Sequence, residues 1–268
     1  MKKLMVAACA ALCATVGFSD VESANTVGYM QVPVNKQEIK VLAVDFGDVA
    51  ESKAVPLNQA FTYTNQVGST SLGDAADQIW TYKSGAWSKY FWYEKLSTKE
   101  WRYMTGTSTS AKMPDSITVA PGEAFFFQRS NASKSSGTTL TLSGGVVPLK
   151  TKVETPVAKQ QIVVLSNPWP ISFKVNEFNN HYTNAVGSTS LGDAADQFWT
   201  YKNGAWTKYF WYEKLSTKEW RYMTGTSTSA KVTDSVTIEP GEAFFFQRSN
   251  ATKSSDTTIT FKGPEFAE

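Results

Sequence analysis

Apolar and polar positions alternate along this chain in short runs separated by Gly, Pro and Ser/Thr turns, and no long stretch carries a helical period. The pattern predicts strands over Tyr29–Val34, Glu38–Phe46, Ile79–Lys83, Ala86–Glu94, Trp101–Met104, Ser116–Val119, Ala124–Arg129 and Thr138–Leu142. Between the first of these and the hairpin, Asp74-Ala75-Ala76-Asp77 reads as one helical turn with Asp74 as its cap. Phe125-Phe126-Phe127 puts rings on both faces of its strand, which predicts a central strand covered on both sides.

Ser84-Gly85 separates two aromatic runs, and the same place later in the chain reads Asn203-Gly204, a strong two-residue hairpin signal. With that loop, Tyr82 faces Trp87, Trp80 faces Lys89 and Ile79 faces Tyr90. One face then carries Trp80, Tyr82, Trp87, Phe91 and Tyr93, and is expected to be core, with Trp87 and its counterpart Trp206 as buried anchors. The other face carries Thr81, Lys83 and Ser88 but also Ile79, Tyr90 and Trp92, which either lie under another layer or form a patch for a partner.

The chain repeats itself. Residues Gly68 to Ser136 match Gly187 to Ser255 at a constant offset, and nine of the 69 paired positions differ. Further upstream, Pro33–Ile39 aligns with Pro156–Ile162, while Ala43 to Phe61 has diverged from Ser166 to Asn180. Each unit has the size of a whole domain rather than of a solenoid repeat. The expected fold is all-β: two tandem antiparallel β-sandwich (or barrel-like) modules, 25–144 and 145–268, joined near Gly144-Gly145.

The first 24 residues read as a cleaved export signal: Lys2 and Lys3, an apolar stretch from Leu4 to Phe18, and small residues at Gly17, Ser19 and Ala24. That stretch is shorter than a bilayer span, so no membrane span is expected. Val6-Ala7-Ala8-Cys9 has the outline of a lipoprotein box. Cleavage there would leave an apolar terminus, which favours ordinary secretion to the periplasm or the outside. Both cysteines, Cys9 and Cys13, lie inside the signal, so the mature chain has no thiol for disulfides, zinc or catalysis. Removing Lys2 and Lys3 also removes the formal net charge of +2, and a near-neutral mature chain argues against nucleic acid as a partner.

Catalytic candidates are few. His181 is the only histidine and its counterpart is Thr62, so a triad or a histidine metal site would exist in one copy only; it reads as a loop histidine. Asp74, Asp77, Glu94, Glu100, Asp115 and Glu123 recur in both copies and could supply an acid/base pair, but turn, cap or solvated roles explain each one. No cofactor or metal is expected, and no enzymatic activity. The sequons at Asn131 and Asn250 are incidental beside a bacterial-looking signal. The remaining candidate is aromatic: Tyr90, Trp92 and Arg102, repeated as Tyr209, Trp211 and Arg221, form a candidate ligand platform on which Arg102 is placed over Trp92.

Several motifs recur in a set order: Val163–Pro170 with its Asn-Pro-Trp-Pro, Gly192-Asp193 before Phe198–Tyr201, Gly204-Ala205-Trp206, and Pro240-Gly241-Glu242-Ala243 before three phenylalanines. This order resembles that of poorly characterised β modules in secreted bacterial proteins of the Verrucomicrobia and Planctomycetes type, and Asn25–Tyr29 resembles their mature start. The resemblance covers both units and implies a secreted β module without catalytic residues. The first unit departs from it, with Val41–Phe46 where Asn-Pro-Trp-Pro would fall. The leading expectation is a structural or adhesive envelope protein; a pair of carbohydrate-binding modules is the alternative, and a glycan-active enzyme comes third. The expected partners are polysaccharide or another envelope protein.

Overall fold

The computed structural model describes residues 27–47, 53–70, 75–83, 85–104, 111–146, 152–169, 171–189, 194–202, 205–223 and 230–262. The export signal and the Asp74 cap lie outside the described residues. The first module contains β1 (Val27–Val34), β2 (Ile39–Ala43), β3 (Phe46–Gly47), β4 (Val55–Pro56), β5 (Phe61–Tyr63), β6 (Gln78–Lys83), β7 (Ala86–Lys95), β8 (Thr98–Tyr103), β9 (Thr118–Val119), β10 (Ala124–Gln128) and β11 (Thr138–Val146). The second contains β12 (Lys152–Val157), β13 (Ile162–Ser166), β14 (Phe173–Lys174), a 3-10 helix η1 (Val175–His181), β15 (Gln197–Lys202), β16 (Ala205–Lys214), β17 (Thr217–Tyr222), β18 (Thr237–Ile238), β19 (Ala243–Gln247) and β20 (Thr257–Lys262).

Every strand pair in these elements is antiparallel, as expected of an all-β sandwich. In the first module β1–β11–β3, with β5 also on β11, faces a five-stranded sheet ordered β2–β10–β6–β7–β8. The second module repeats the five-stranded sheet as β13–β19–β15–β16–β17 and faces it with β12–β20. Apolar side chains of the two sheets meet in one core per module: Leu140 and Leu142 against Leu42, Ile79, Phe125 and Phe127 in the first, Ile259 and Phe261 against Leu165, Phe198, Phe244 and Phe246 in the second. Gly144 and Gly145 sit inside β11, paired with Gly28 and Val27, so the module boundary falls after Val146 rather than at the two glycines.

The hairpin register is the expected one: Ile79 opposite Tyr90, Trp80 opposite Lys89 and Tyr82 opposite Trp87, with Gly85 at φ +81° in the turn. β10 is central, between β2 and β6. Phe125 and Phe127 point into the module core, and Phe126, on the other face, is covered by the second module.

That cover is a seam between the two five-stranded sheets. Phe126 meets Phe245 with ring centroids 5.7 Å apart, amid Ala124, Ala243, Val41, Val164, Ile39, Ile162, Trp80 and Trp199. The contacts are reciprocal. A Cβ on Gly122 would lie 2.6 Å from Val153 of the second module, and one on Gly241 would lie 2.8 Å from Met30 of the first. Both glycines also hold positive φ, +85° and +72°, so glycine is required twice over at each turn. Five pairs of matched positions in the seam carry the same residue in both copies, which gives the two-fold, self-complementary geometry of a homodimer interface inside one chain.

Candidate functional site

The alternation of the β6–β7 hairpin divides its side chains between two faces, and the seam decides which face is inner. Ile79, Tyr90 and Trp92 point into the module core, where Tyr90 is 1% exposed and Trp92 9%. Their counterparts Phe198, Tyr209 and Trp211 do the same. Trp80, Tyr82 and Trp87 lie on the outer face; Trp87 and Trp206 are each 46% exposed. The expectation that Trp87 and Trp206 are core anchors is therefore reversed, and so is the exposure expected of Tyr90, Trp92, Tyr209 and Trp211. Both faces carry large rings, and only the opposing sheet β1–β11 settles which is covered from within.

Arg102 and Arg221 also fall on the outer side. The β7–β8 turn is Leu96-Ser97, with Lys95 opposite Thr98 and Trp92 opposite Trp101, one residue away from a turn that would set Arg102 opposite Trp92. A one-residue change of register turns every side chain to the other face. Arg102 instead stacks on Tyr93 at 3.7 Å and pairs with Glu100 at 2.7 Å; Arg221 does the same with Tyr212 and Glu219. Leu96 and Leu215 sit in these turns at φ +54° and +55°, a conformation that leucine rarely takes and that no turn residue in the sequence signals.

The accessible aromatic surface is thus built from other residues. Trp87 packs edge-on against Tyr82 at 4.9 Å and against Phe126 at 5.2 Å, and Trp206 packs on Tyr201 at 4.9 Å and Phe245 at 5.1 Å. Lys89 lies 4.2 Å over the Trp80 ring and Lys208 4.1 Å over Trp199, holding the neighbouring indoles in place. Because Phe126 touches Phe245, rings run without a break from one exposed indole to the other. Their consecutive centroids are 5.2, 5.7 and 5.1 Å apart. Trp87 and Trp206 are therefore separated by no more than those three steps.

Beside each platform is a small cleft on the seam. Tyr82, Lys83 and Glu123 line one of about 220 Å³ with Ile162 to Leu165 of the second module; Tyr201 and Glu242 line one of about 210 Å³ with Glu38 to Val41 of the first. Lys83 pairs with Glu123 at 2.9 Å, and Lys202 with Glu242 at 2.8 Å.

Sequence reasoning placed Asp77 at a turn, and it is instead the centre of a buried network. Its Oδ2 accepts from Arg129 Nη1 (2.7 Å), the Tyr63 hydroxyl (3.0 Å) and the Val67 amide (2.9 Å), and its Oδ1 from the Ser130 amide (3.0 Å). Arg129 spends its other donors on the carbonyls of Ser136 and Asn65. Asp196, Arg248, Tyr182, Val186 and Ser249 repeat the arrangement. Both ion pairs are fully buried. Burial pushes the two carboxyls up from their ordinary value, while the donors around them pull the other way. The network joins the loop before β6 to the end of β10, and two residues 52 positions apart give no local signal of it.

The other recurring carboxylates that are described are engaged as well: Glu94 with Lys99, Glu100 with Arg102, Asp115 with the Asn58 amide and Glu123 with Lys83. Among the described residues no three His, Asp or Glu side chains converge on a metal-sized space, and no helix is long and apolar enough to cross a membrane. His181 is not in a loop but ends η1, with its ring against Phe173, Phe178 and Phe261, and burial pushes its imidazole below the ordinary value. No family model matches this chain, and no curated protein is similar to it.

Proposed function

We propose that this protein is an exported, non-enzymatic adhesion module that holds a polysaccharide through two equivalent aromatic platforms. The observation that carries this reading is the pair of indoles, Trp87 and Trp206, each 46% exposed and each at one end of the ring chain that crosses the seam. A flat indole offers its face to the C–H side of a sugar ring, and Tyr82 or Tyr201 beside it adds a second ring and a hydroxyl. The buried ion pairs brace the sheet of each module and the reciprocal seam fixes the two platforms relative to each other, so the protein itself is ordered before both engage one polymer. The engagement of the recurring carboxylates by cations and amides favours a binding role over acid/base chemistry.

Affinity electrophoresis of the full chain through gels containing soluble polysaccharides tests the proposal. Retention by at least one polymer is expected, lost in Trp87→Ala/Trp206→Ala and reduced by more than half in either single variant, since the two contacts act together. Unchanged retention of the double variant on every polymer that slows the parent would refute the platforms.

A further inference from the structure

The two most exposed large apolar side chains among the described residues are leucines, Leu96 at 93% and Leu215 at 92%. Each opens the two-residue turn of an outer hairpin, Leu96-Ser97 between β7 and β8 and Leu215-Ser216 between β16 and β17. Their positive φ is one that glycine or asparagine adopts readily and leucine only at a cost. Neither side chain joins an apolar cluster of its module, and the residues on both sides of it are exposed. A side chain that is both strained and wet stabilises nothing in the free protein, which points to a contact outside it.

The charges around each turn say what kind of contact. Beside Leu96, Glu94 is the one carboxylate facing Lys99 at 3.1 Å and Lys134 at 3.8 Å, and Lys95 has no partner among the described residues. Beside Leu215, Glu213 faces Lys218 at 3.0 Å and Lys253 at 3.1 Å, and Lys214 is likewise without a partner. Three ammonium groups to one carboxylate leave each tip with a surplus of two positive charges beside a bare apolar side chain. Anionic headgroups over acyl chains answer both features at once. An anionic polymer would meet the lysines and leave the leucine wet, and a tip of a second copy would bring like charge to like charge. The tips also stand clear of the platforms: Trp87 is the second residue of β7 and Leu96 follows its last, roughly 30 Å further along the strand.

We propose that the two hairpin tips are contact points for an anionic lipid surface, with Leu96 and Leu215 entering below the headgroups and the surrounding lysines meeting the lipid charges. The test is flotation with vesicles of phosphatidylglycerol and phosphatidylcholine in equal parts, against vesicles of phosphatidylcholine alone. The chain from residue 25 onward is used, which keeps every described element and removes the apolar stretch Leu4 to Phe18. It should float with the mixed vesicles, far less with the neutral ones, and less in high salt as the lysine contacts are screened. Leu96→Gly/Leu215→Gly should lower its partition to the mixed vesicles about tenfold or more. Glycine is at ease at positive φ, so this variant keeps the turns. Leu96→Asn/Leu215→Asn, also suited to that backbone, should repeat the loss, and thermal melts show that both variants fold. Trp87→Ala/Trp206→Ala should float like the parent, and the leucine variants should keep any retention on polysaccharide, which separates this surface from the platforms. No flotation of the parent, equal flotation with neutral vesicles, or flotation unchanged in both leucine variants overturns the proposal. A loss of polysaccharide retention or of a dimer in the leucine variants, with flotation intact, assigns the tips to a polymer or to a second copy and overturns it as well.

Discussion

The two modules agree where their sequences agree and part where they do not. The burial pattern of β6 and β7 is repeated position for position in β15 and β16, as is the Asp–Arg–Tyr network beneath them. In the diverged segment the first module adds β5 to its small sheet, opposite Leu140 to Leu142, whereas the second forms η1. One aromatic site in the core is filled either way: Phe61 stacks on Phe125 at 5.3 Å, and Phe178 meets Phe244 at 5.4 Å. The lesson is that the shared sheet and its ion pair define the module. The segment above the core is free to change its secondary structure as long as one ring still closes the core.

The largest expected effect tests the shared part. Asp77→Ala or Asp196→Ala strands a buried guanidinium, and each should cost about 3–5 kcal/mol in its own module, to nearly the same extent. Hydrogen exchange under increasing urea would resolve the two modules; markedly unequal costs would show that the networks are not equivalent. The diverged part is tested by Phe178→Ala against Phe61→Ala. The first removes a fully buried ring and should cost about 3–5 kcal/mol, and the second, which lines a cleft of about 550 Å³ with Trp92 and Trp101, should fall at or below the lower end of that range.

The seam has its own asymmetry in Asp45, which aligns with Pro168 in the second module. Its Oδ1 has no partner, its Oδ2 lies beside Gly241, and burial pushes the carboxyl up to about 7. The folded protein therefore holds a proton that the unfolded chain releases above its ordinary value of 3.8. Stability from this group is fully present below about pH 4, falls as pH rises toward 7 and then levels off. Asp45→Asn should flatten that part of the pH–stability curve and raise the melting temperature at neutral pH. A slope unchanged in the variant would assign it to another group. The smallest effect belongs to the platforms: Trp87→Ala and Trp206→Ala should each cost less than about 1 kcal/mol, as partly exposed side chains do. A core-sized loss on thermal melting would place these rings inside after all.

By itself the sequence determined the duplication, the all-β class, most strand positions, the β6–β7 register and the central, doubly covered β10, because these follow from local periodicity and turn chemistry. It did not determine which face of the hairpin is inner. Rings occupy both faces, so local pattern is silent, and the choice fell to the β1–β11 sheet on one side and the sister module on the other. The Leu96-Ser97 turn, lacking glycine or asparagine, left the next register open, and with it the placement of Arg102 on Tyr93 rather than on Trp92. Asp77 and Arg129 meet only because β6 and β10 are neighbours, and charges so far apart in sequence show their pairing only in three dimensions. The candidate surface moved from Trp92 to Trp87 for the same reason: local pattern fixes what shares a face, and tertiary packing fixes what that face meets.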